Sequence, residues 1–160
     1  MARTSKRKVR LESQSLQENV SVKTYMAGIY ARLSVDNHDG KEISIETQIE
    51  MAKEYLKSHT EITLYDCYSD LGATGTNFQR SDFERLMQDV RDGLINCIIV
   101  KDFSRFGRNY IETGNFVEKI FPFLGVRFIA ITDQYDSIKQ ADCNEALSMH
   151  LKNIANELYA

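Results

Sequence analysis

Short apolar runs alternate with longer amphipathic stretches along the chain. The runs at 25–34, 61–70, 96–102 and 126–132 are rich in apolar, aromatic and β-branched residues, which is typical of strands. The stretches between them place apolar residues three and four positions apart, which is typical of amphipathic helices. Strands that alternate with helices predict an α/β domain with a mainly parallel central sheet of about four to five strands and helices on both faces.

Two of the predicted helices have recognisable ends. The first spans 44–56, and Ser44 is its predicted N-cap because a serine side chain can accept a hydrogen bond from the free N–H groups of a first turn. The second is expected to begin with a capping box between Ser81 and Glu84 and to end at Gly93.

Two further helices are predicted in the second half of the chain. One begins at about residue 104 or 109 and ends at Pro122, the only proline. The other begins at about residue 139 and is expected to continue past residue 160, because NELYA contains no helix stop signal. Its apolar positions have a heptad-like spacing and form either a core face or a subunit interface: Leu147, Leu151, Ile154 and Leu158.

Charge divides the chain into a basic leader and an acidic body. Residues 1–24 contain six Lys or Arg and two Glu, whereas residues 25–160 contain 14 Lys or Arg and 21 Asp or Glu. A polar, basic, aromatic-poor leader is expected to be disordered, either as a solvated segment or as one that touches nucleic acid. The acidic body argues against DNA binding through bulk positive charge, so any phosphate contact must be local. We expect an α/β domain at 25–137 and the start of a long helix at 138–160.

The sequence shows no membrane span and no metal-binding cysteine pattern. It has no apolar run of about 18 residues and no secretory signal, so we expect a cytoplasmic protein without a membrane partner. Cys67, Cys97 and Cys143 are too far apart for a CxxC site. Cys67 and Cys97 fall in strand-like runs and are predicted to be packed thiols.

The first strand carries a row of polar side chains that a buried strand would not need. Successive residues of a strand point to opposite faces, so one face is apolar and the other carries Tyr30, Arg32 and Ser34. A parallel strand covered on both sides is expected to be apolar on both faces. The polar row therefore indicates a functional site.

Several arginines are predicted to meet Ser34 at the carboxyl edge of the sheet, where open α/β sheets bind ligands. Arg105 and Arg108 follow the third strand, and Arg80 ends the loop before the second helix. A guanidinium group is planar, permanently charged and matched to phosphate. Singly, each arginine could instead form a surface ion pair, but their convergence with Arg32 on a hydroxyl predicts phosphoryl chemistry.

Other active-site patterns fit the sequence poorly. His38 is the one histidine near Ser34, and its spacing suits a loop rather than a hydrolase triad. The sequence has no GxSxG elbow and no Walker loop. The acidic residues at 36–42 could hold a cation, but a solvated loop is the commoner explanation of such a cluster.

Four ordered motifs resemble the catalytic domain of serine recombinases, the resolvase/invertase family, and especially the large serine recombinases of transposons and conjugative elements. They are YARLS at 30–34, SIETQ at 44–48, GATGTNFQRSDF at 72–83 and KDFSRFGRNY at 101–110. The similarity covers about residues 25–159. Three positions depart from the family pattern: Thr74 replaces a serine, Ser81 a proline and Ser104 an aspartate of small resolvases. No acid role is assigned to Ser104.

The resemblance implies a site-specific DNA recombinase. Ser34 would attack a phosphodiester of double-stranded DNA to give a 5′-phosphoserine intermediate, followed by strand exchange and religation without metal, ATP or another cofactor. Residues 25–137 would be the catalytic domain, and 138–160 would begin the oligomerisation helix of a dimer that becomes a tetramer during exchange. A DNA-binding region is expected beyond residue 160. The other implied site residues are four phosphate-stabilising arginines and two supporting side chains: Arg32, Arg80, Arg105, Arg108, Tyr30 and Gln48.

Two other functions remain open from the residues alone. A phosphate- or nucleotide-binding α/β module could use the arginines for binding without catalysis. A phosphatase or nuclease could use the same cluster and release a soluble product. A covalent protein–DNA adduct separates the recombinase from both.

Overall fold

A computed structural model describes residues 22–33, 43–71, 80–107 and 109–139 of the chain. These residues contain a five-stranded sheet in the order β2–β1–β3–β4–β5. The first four strands run parallel and the last pairs antiparallel with β4. The strands are β1 (Tyr25–Arg32), β2 (Ile62–Asp70), β3 (Cys97–Val100), β4 (Arg127–Ala130) and β5 (Tyr135–Asp136). The predicted mainly parallel sheet is confirmed, and the short β5 was not predicted.

Helices cover both faces of the sheet, as the sequence predicts. In chain order they are α1 (Ile45–Lys57), α2 (Ser81–Arg91), α3 (Phe103–Phe106), α4 (Tyr110–Asn115), a π-helical turn (Phe116–Ile120) and α5 (Phe121–Leu124). On one face, α1 packs Ala52 against a cluster of β1, β3 and β4 side chains. On the other, α2, α3 and the helix at 110–124 enclose a larger, aromatic-rich cluster. Strand β1 lies between both layers, so its two faces are buried.

The two predicted helix starts have different outcomes. Ser44 is the N-cap of α1, and its hydroxyl accepts from the backbone N–H of Thr47 at 3.2 Å, as expected. The predicted capping box between Ser81 and Glu84 is wrong. The N-cap of α2 is Arg80, and its side chain makes no capping hydrogen bond. The end of α2 at Gly93 is confirmed, with φ of 75° at that glycine.

The helix that was expected to end at Pro122 continues through it to Leu124. A proline ring inside a regular helix clashes with the carbonyl four residues earlier and lacks an N–H. Here the turn before Pro122 is π-helical, and the N–H of Phe121 donates to the carbonyl of Phe116, five residues back. This wider turn accommodates the proline. The helix ends at Gly125, whose φ is 68°.

The two strand cysteines pack at the same core cluster, as predicted. Cys97 is fully buried, and burial raises the pKa of its thiol to about 12. Cys67 is half-buried and packs against the cluster that contains Cys97. The leader up to residue 21, the residues from 140 onward with the heptad-like positions, and Cys143 lie outside the described residues. Among the helices that are described, none is both long and apolar enough to cross a bilayer.

Candidate active site

Gln48, in the first turn of α1, fixes the carboxyl end of β1. Its Oε1 accepts from the backbone N–H of Arg32 at 3.3 Å, and its Nε2 donates to the Arg32 carbonyl at 3.1 Å. Nε2 also donates to the carbonyl of Ile43 at 3.0 Å, and the side chain is buried. The amide satisfies both backbone polar groups of Arg32, as a neighbouring strand would. It thus fixes the backbone two residues before Ser34 in the sequence.

The side chain of Arg32 reaches the segment 104–107 at the end of α3. Its Nη2 donates to the carbonyls of Ser104 at 2.6 Å and Gly107 at 3.3 Å. Its Nε donates to the carbonyl of Arg105 at 3.4 Å. Arg105 returns the contact, since its Nη1 donates to the Arg32 carbonyl at 3.4 Å. These reciprocal bonds tie the end of β1 to the segment that follows β3.

Arg80, immediately before α2, places a guanidinium group inside the protein with only 6% of the residue exposed. Its Nη2 donates to the carbonyl of Phe106, and its Nε and Nη2 each lie 3.3 Å from the hydroxyl oxygen of Tyr30. The guanidinium carbon is 3.8 Å from the ring centroid of Phe83. Nη1 is 3.4 Å from Oε1 of Glu112 in α4. The carboxylate and the ring together offset the cost of burying this charge.

Asp70, the last residue of β2, connects the site to the start of α2. Its Oδ2 accepts from the Tyr30 hydroxyl at 2.8 Å and from the N–H of Phe83 at 3.0 Å, and its Oδ1 accepts from the N–H of Asp82 at 3.1 Å. Burial raises the pKa of Tyr30 well above its ordinary value. The hydroxyl therefore keeps its proton, donates to Asp70 and accepts from Arg80.

A third carboxylate, Asp102, follows β3 and lies between two cations. Its Oδ2 accepts from Nζ of Lys101 at 2.7 Å, and its Oδ1 accepts from the hydroxyl of Ser104 at 2.5 Å. Nε of Arg105 is 3.9 Å from the same Oδ1. Burial opposes the charged form, but the hydrogen bonds from Lys101 and Ser104 hold the pKa of Asp102 below its ordinary value. The carboxylate is therefore ionised at neutral pH.

The structure brings five of the predicted site residues into one hydrogen-bonded cluster around the segment 104–107. They are Tyr30, Arg32, Gln48, Arg80 and Arg105. Ser34 and Arg108 lie outside the described residues, as does Thr74.

Sequence reasoning missed three carboxylates of this cluster, Asp70, Asp102 and Glu112. Glu112 has no local signal, because nothing in the sequence around it distinguishes it from the other acidic residues of the chain, which has 23 in all. Asp70 has one, since it is a charged residue that ends a strand at the carboxyl edge, where ligands bind. The same criterion that singled out Ser34 therefore applies to Asp70.

The donors of this cluster can bind an anion. Arg32 and Arg80 donate to backbone carbonyls of the segment 104–107. A phosphate oxygen is a stronger acceptor than a carbonyl because it is charged, so it can compete for these donors. Over the described ranges, no three His, Cys, Asp or Glu side chains are grouped closely enough to bind a metal ion.

A mainly parallel sheet with an arginine cluster at its carboxyl edge defines an α/β domain of the kind that binds phosphate groups. The particular family is given by comparison with known proteins. The profile of the family described as "Resolvase, N terminal domain" matches residues 27–159, and the chain belongs to this family.

Solved structures agree with this assignment. A resolvase family site-specific recombinase from Streptococcus pneumoniae is 26% identical, with a TM-score of 0.64 and coverage of 85% of this chain and 91% of that one. The N-terminal catalytic domain of TP901-1 integrase is 24% identical, with a TM-score of 0.61 and coverage of 84% and 95%. The C-terminal catalytic domain of ISC1926 TnpA, an IS607-like serine recombinase, shares the fold at 17% identity, TM-score 0.51 and coverage of 84% and 99%. No curated protein matches the chain.

Proposed function

We propose that this chain is the catalytic domain of a site-specific DNA recombinase that uses Ser34 as its nucleophile. The hydroxyl oxygen of Ser34 bonds to the phosphorus of a DNA phosphodiester, and the bond from phosphorus to the 3′ oxygen breaks. The serine proton balances the proton gained by the departing 3′ hydroxyl. The 5′-phosphoserine bond keeps the energy of the phosphodiester, so a 3′ hydroxyl of the exchanged strand can reverse the step without metal or ATP.

The single observation that carries this proposal is the convergence of three arginines beside the end of β1. Arg32 lies two residues before Ser34, and both Arg32 and Arg80 bind the segment 104–107 that contains Arg105. Phosphoryl transfer asks the protein mainly for positioning and charge stabilisation. One preorganised donor contributes about 3 kcal/mol to a transition state. Several such donors supply a useful part of the roughly 8–23 kcal/mol by which enzymes lower barriers.

The supporting side chains fit the same chemistry. Gln48 fixes the backbone of Arg32, and Tyr30 with Asp70 fixes Arg80. We assign Arg108 to the phosphate as well, on the resemblance of KDFSRFGRNY to the family motif. The guanidinium groups stay charged at any working pH, so they can stabilise a negatively charged phosphate without first gaining a proton.

The proposed partners follow from the reaction. Double-stranded DNA is the substrate, and strand exchange between two cut duplexes requires several subunits, so a dimer that becomes a tetramer is expected. The residues from 138 onward are proposed to begin the oligomerisation helix. Sequence readout is assigned to a DNA-binding region beyond residue 160, because the acidic body is unsuited to binding DNA by bulk charge.

The test is capture of the covalent intermediate. Nicked, end-labelled duplex fragments prepared from the DNA that flanks the coding sequence are incubated with the protein and separated on a denaturing gel. We expect a protein–DNA adduct, with the 5′ phosphate mapped to Ser34 by peptide mass spectrometry, and no adduct with Ser34→Ala.

Three outcomes contradict the proposal. An adduct of equal yield with Ser34→Ala removes Ser34 from its role. Release of a soluble cleaved product without attachment indicates a nuclease or phosphatase. Tight nucleotide or phosphate binding by calorimetry, with no adduct on any flanking fragment, indicates a non-catalytic binding module.

A further inference from the structure

Asp102 occupies the N-cap position of α3, where an aspartate is ordinarily explained by helix capping. Its side chain makes no capping hydrogen bond. The first N–H of the helix, that of Phe103, donates instead to Oδ2 of Asp133 at 2.8 Å, and Asp133 lies in the turn after β4. The start of α3 already has its carboxylate, so helix capping does not account for Asp102.

One oxygen of the Asp102 carboxylate, Oδ1, contacts two residues of the candidate site, and the other accepts from Lys101. The hydroxyl of Ser104 donates to Oδ1, and the carbonyl of the same Ser104 accepts from Nη2 of Arg32 at 2.6 Å. Nε of Arg105 is 3.9 Å from Oδ1, and the N–H of Arg105 donates to the Asp102 carbonyl at 3.2 Å. Asp102 therefore contacts both Ser104, whose carbonyl binds Arg32, and Arg105, the next residue in the chain.

We propose that Asp102 is a positioning residue for DNA cleavage, which holds Ser104 and Arg105 so that two arginines meet the scissile phosphate in one geometry. The second arginine is Arg32, which is held through the Ser104 carbonyl. This proposal rests on the proposed recombinase function. Asp102 acts through its neighbours and is not assigned a contact with the phosphate.

The charges around Asp102 suit this role. Lys101 and Asp102 are 15% and 16% exposed and form a hydrogen-bonded ion pair. Their charges cancel, so the positive charge of Arg105 remains available for an anion. A partly buried carboxylate hydrogen-bonded on both oxygens has little freedom to rotate, and it restricts Ser104 accordingly. Asp102 thus restricts the direction of the arginine side chain without removing the local positive potential.

The first test measures adduct formation in a single turnover at saturating DNA. Asp102→Asn is expected to slow adduct formation on the order of 10²-fold, the effect of a misplaced catalytic group, without weakening DNA binding. Ser104→Ala, which keeps the carboxylate and removes the donor hydroxyl, is expected to slow it in the same direction by a smaller factor. The matched control is Asp66→Asn, because Asp66 also binds an arginine, Arg85 at 2.6 Å, but this pair is exposed and belongs to the edge strand β2 and to α2. It should cleave at the wild-type rate.

A double-mutant cycle with Arg105→Ala separates positioning from general destabilisation. If Asp102 acts through Arg105, the Asp102→Asn change should have a much smaller effect in the Arg105→Ala background than in the wild type. All variants are compared below their unfolding temperatures. Full additivity of the two losses, or a wild-type rate for Asp102→Asn, overturns the proposal.

A measurement without DNA keeps this proposal distinct from the recombinase function. Solvent exchange of the Nε–H groups of Arg32 and Arg105, followed by NMR, should be faster in Asp102→Asn than in the wild type and unchanged in Asp66→Asn. Unchanged exchange in Asp102→Asn overturns the positioning role even when adducts form. If the wild type forms no adduct but the exchange result is as expected, the proposed function fails and the assignment of Asp102 to arginine positioning stands.

Discussion

At the scale of single residues, Tyr30 belongs to the core and to the site at once. Its ring is fully buried, with ring centroids 5.6 Å from Phe83 and 6.2 Å from Phe106 in edge-to-face geometry. Its hydroxyl lies between the Asp70 carboxylate and the Arg80 guanidinium. The sequence places Tyr30 on a polar face of β1, and this placement was sufficient to single it out as a candidate site residue. It could not show that the ring is core, because that depends on helices distant in sequence packing over β1.

The hydroxyl of Tyr30 can be tested with Tyr30→Phe, which removes three hydrogen bonds with two charged groups, Asp70 and Arg80. We expect the free energy of unfolding in urea to fall by about 1.5–3 kcal/mol. Arg80 then loses a fixed partner, so adduct formation should also slow, by about 10- to 100-fold.

Tyr68 provides the matched control for this change. It is equally buried, and its hydroxyl donates to Asp89 at 2.5 Å, away from the arginine cluster. Tyr68→Phe is expected to lower stability to a comparable degree and to leave cleavage unchanged. If both variants cleave at the same reduced rate, Tyr30 has only a structural role.

At the scale of elements, the starts of two helices lie beside the site. The sequence predicted the cap of α1 correctly and the cap of α2 wrongly. Ser44 caps α1 from the adjacent position in the chain, so sequence spacing was sufficient to find it. The first turn of α2 is capped by Asp70, twelve residues before Asp82, and the side chain of Asp82 in return accepts from the N–H of Ser69 at 2.9 Å. This exchange between a strand and a helix depends on the tertiary fold, which local pattern cannot show.

The segment 104–107 is a further element that sequence pattern did not resolve. One of the two predicted starts placed it in the first turn of a single helix, but residues 104–106 belong to the short helix α3 and Gly107 begins the break before α4. Its carbonyls bind Arg32 and Arg80, so its path depends on close packing against the next helix. The tightest approach is at Gly107, where an added Cβ would lie 1.9 Å from Oγ1 of Thr113.

Gly107→Ala is predicted to displace this segment. The side chain of Thr113 is fixed by a hydrogen bond to the Asn109 carbonyl at 3.0 Å, so the backbone must move to relieve the clash. We expect a loss of about 1–3 kcal/mol in the free energy of unfolding and a loss of adduct formation on the order of 10²-fold. Denaturant melts and the single-turnover assay measure the two effects.

Gly93→Ala is the control for a glycine change that acts on stability alone. Gly93 has a φ of 75° and no atom within 4 Å of an added Cβ, and it lies at the end of α2 away from the arginines. Strain of about 1–2 kcal/mol is expected, with wild-type cleavage. Wild-type cleavage by Gly107→Ala would show that the segment 104–107 does not position the arginines.

At the scale of the whole molecule, the two edges of the sheet carry different clusters of charged side chains. The carboxyl edge carries the arginine cluster, whereas the amino edge carries a buried ion pair between Arg127 and Asp136, with Nη2 and Oδ2 2.7 Å apart. Glu61 is 3.2 Å from Nη1 of the same arginine, and the guanidinium carbon lies 4.8 Å from the ring centroid of Tyr25. These residues join the starts of β1 and β4 to β5 and to the residue before β2. The amino edge therefore fixes the strand arrangement that the carboxyl edge uses.

Asp136→Ala tests this separation of stability from catalysis. It leaves the Arg127 guanidinium, only 2% exposed, with Glu61 as its remaining carboxylate among the described residues. Removing one partner of a buried ion pair costs about 3–5 kcal/mol, and a domain of this size has a total stability of about 5–15 kcal/mol. We expect a large fall in the urea midpoint but, at a temperature where the variant is folded, an adduct rate equal to the wild type.

Glu61→Gln should lose less stability, because Glu61 is 31% exposed and water can replace its contact. A slowed cleavage rate in fully folded Asp136→Ala would mean that the amino edge acts on the arginine cluster through the sheet, because no described contact joins the two directly.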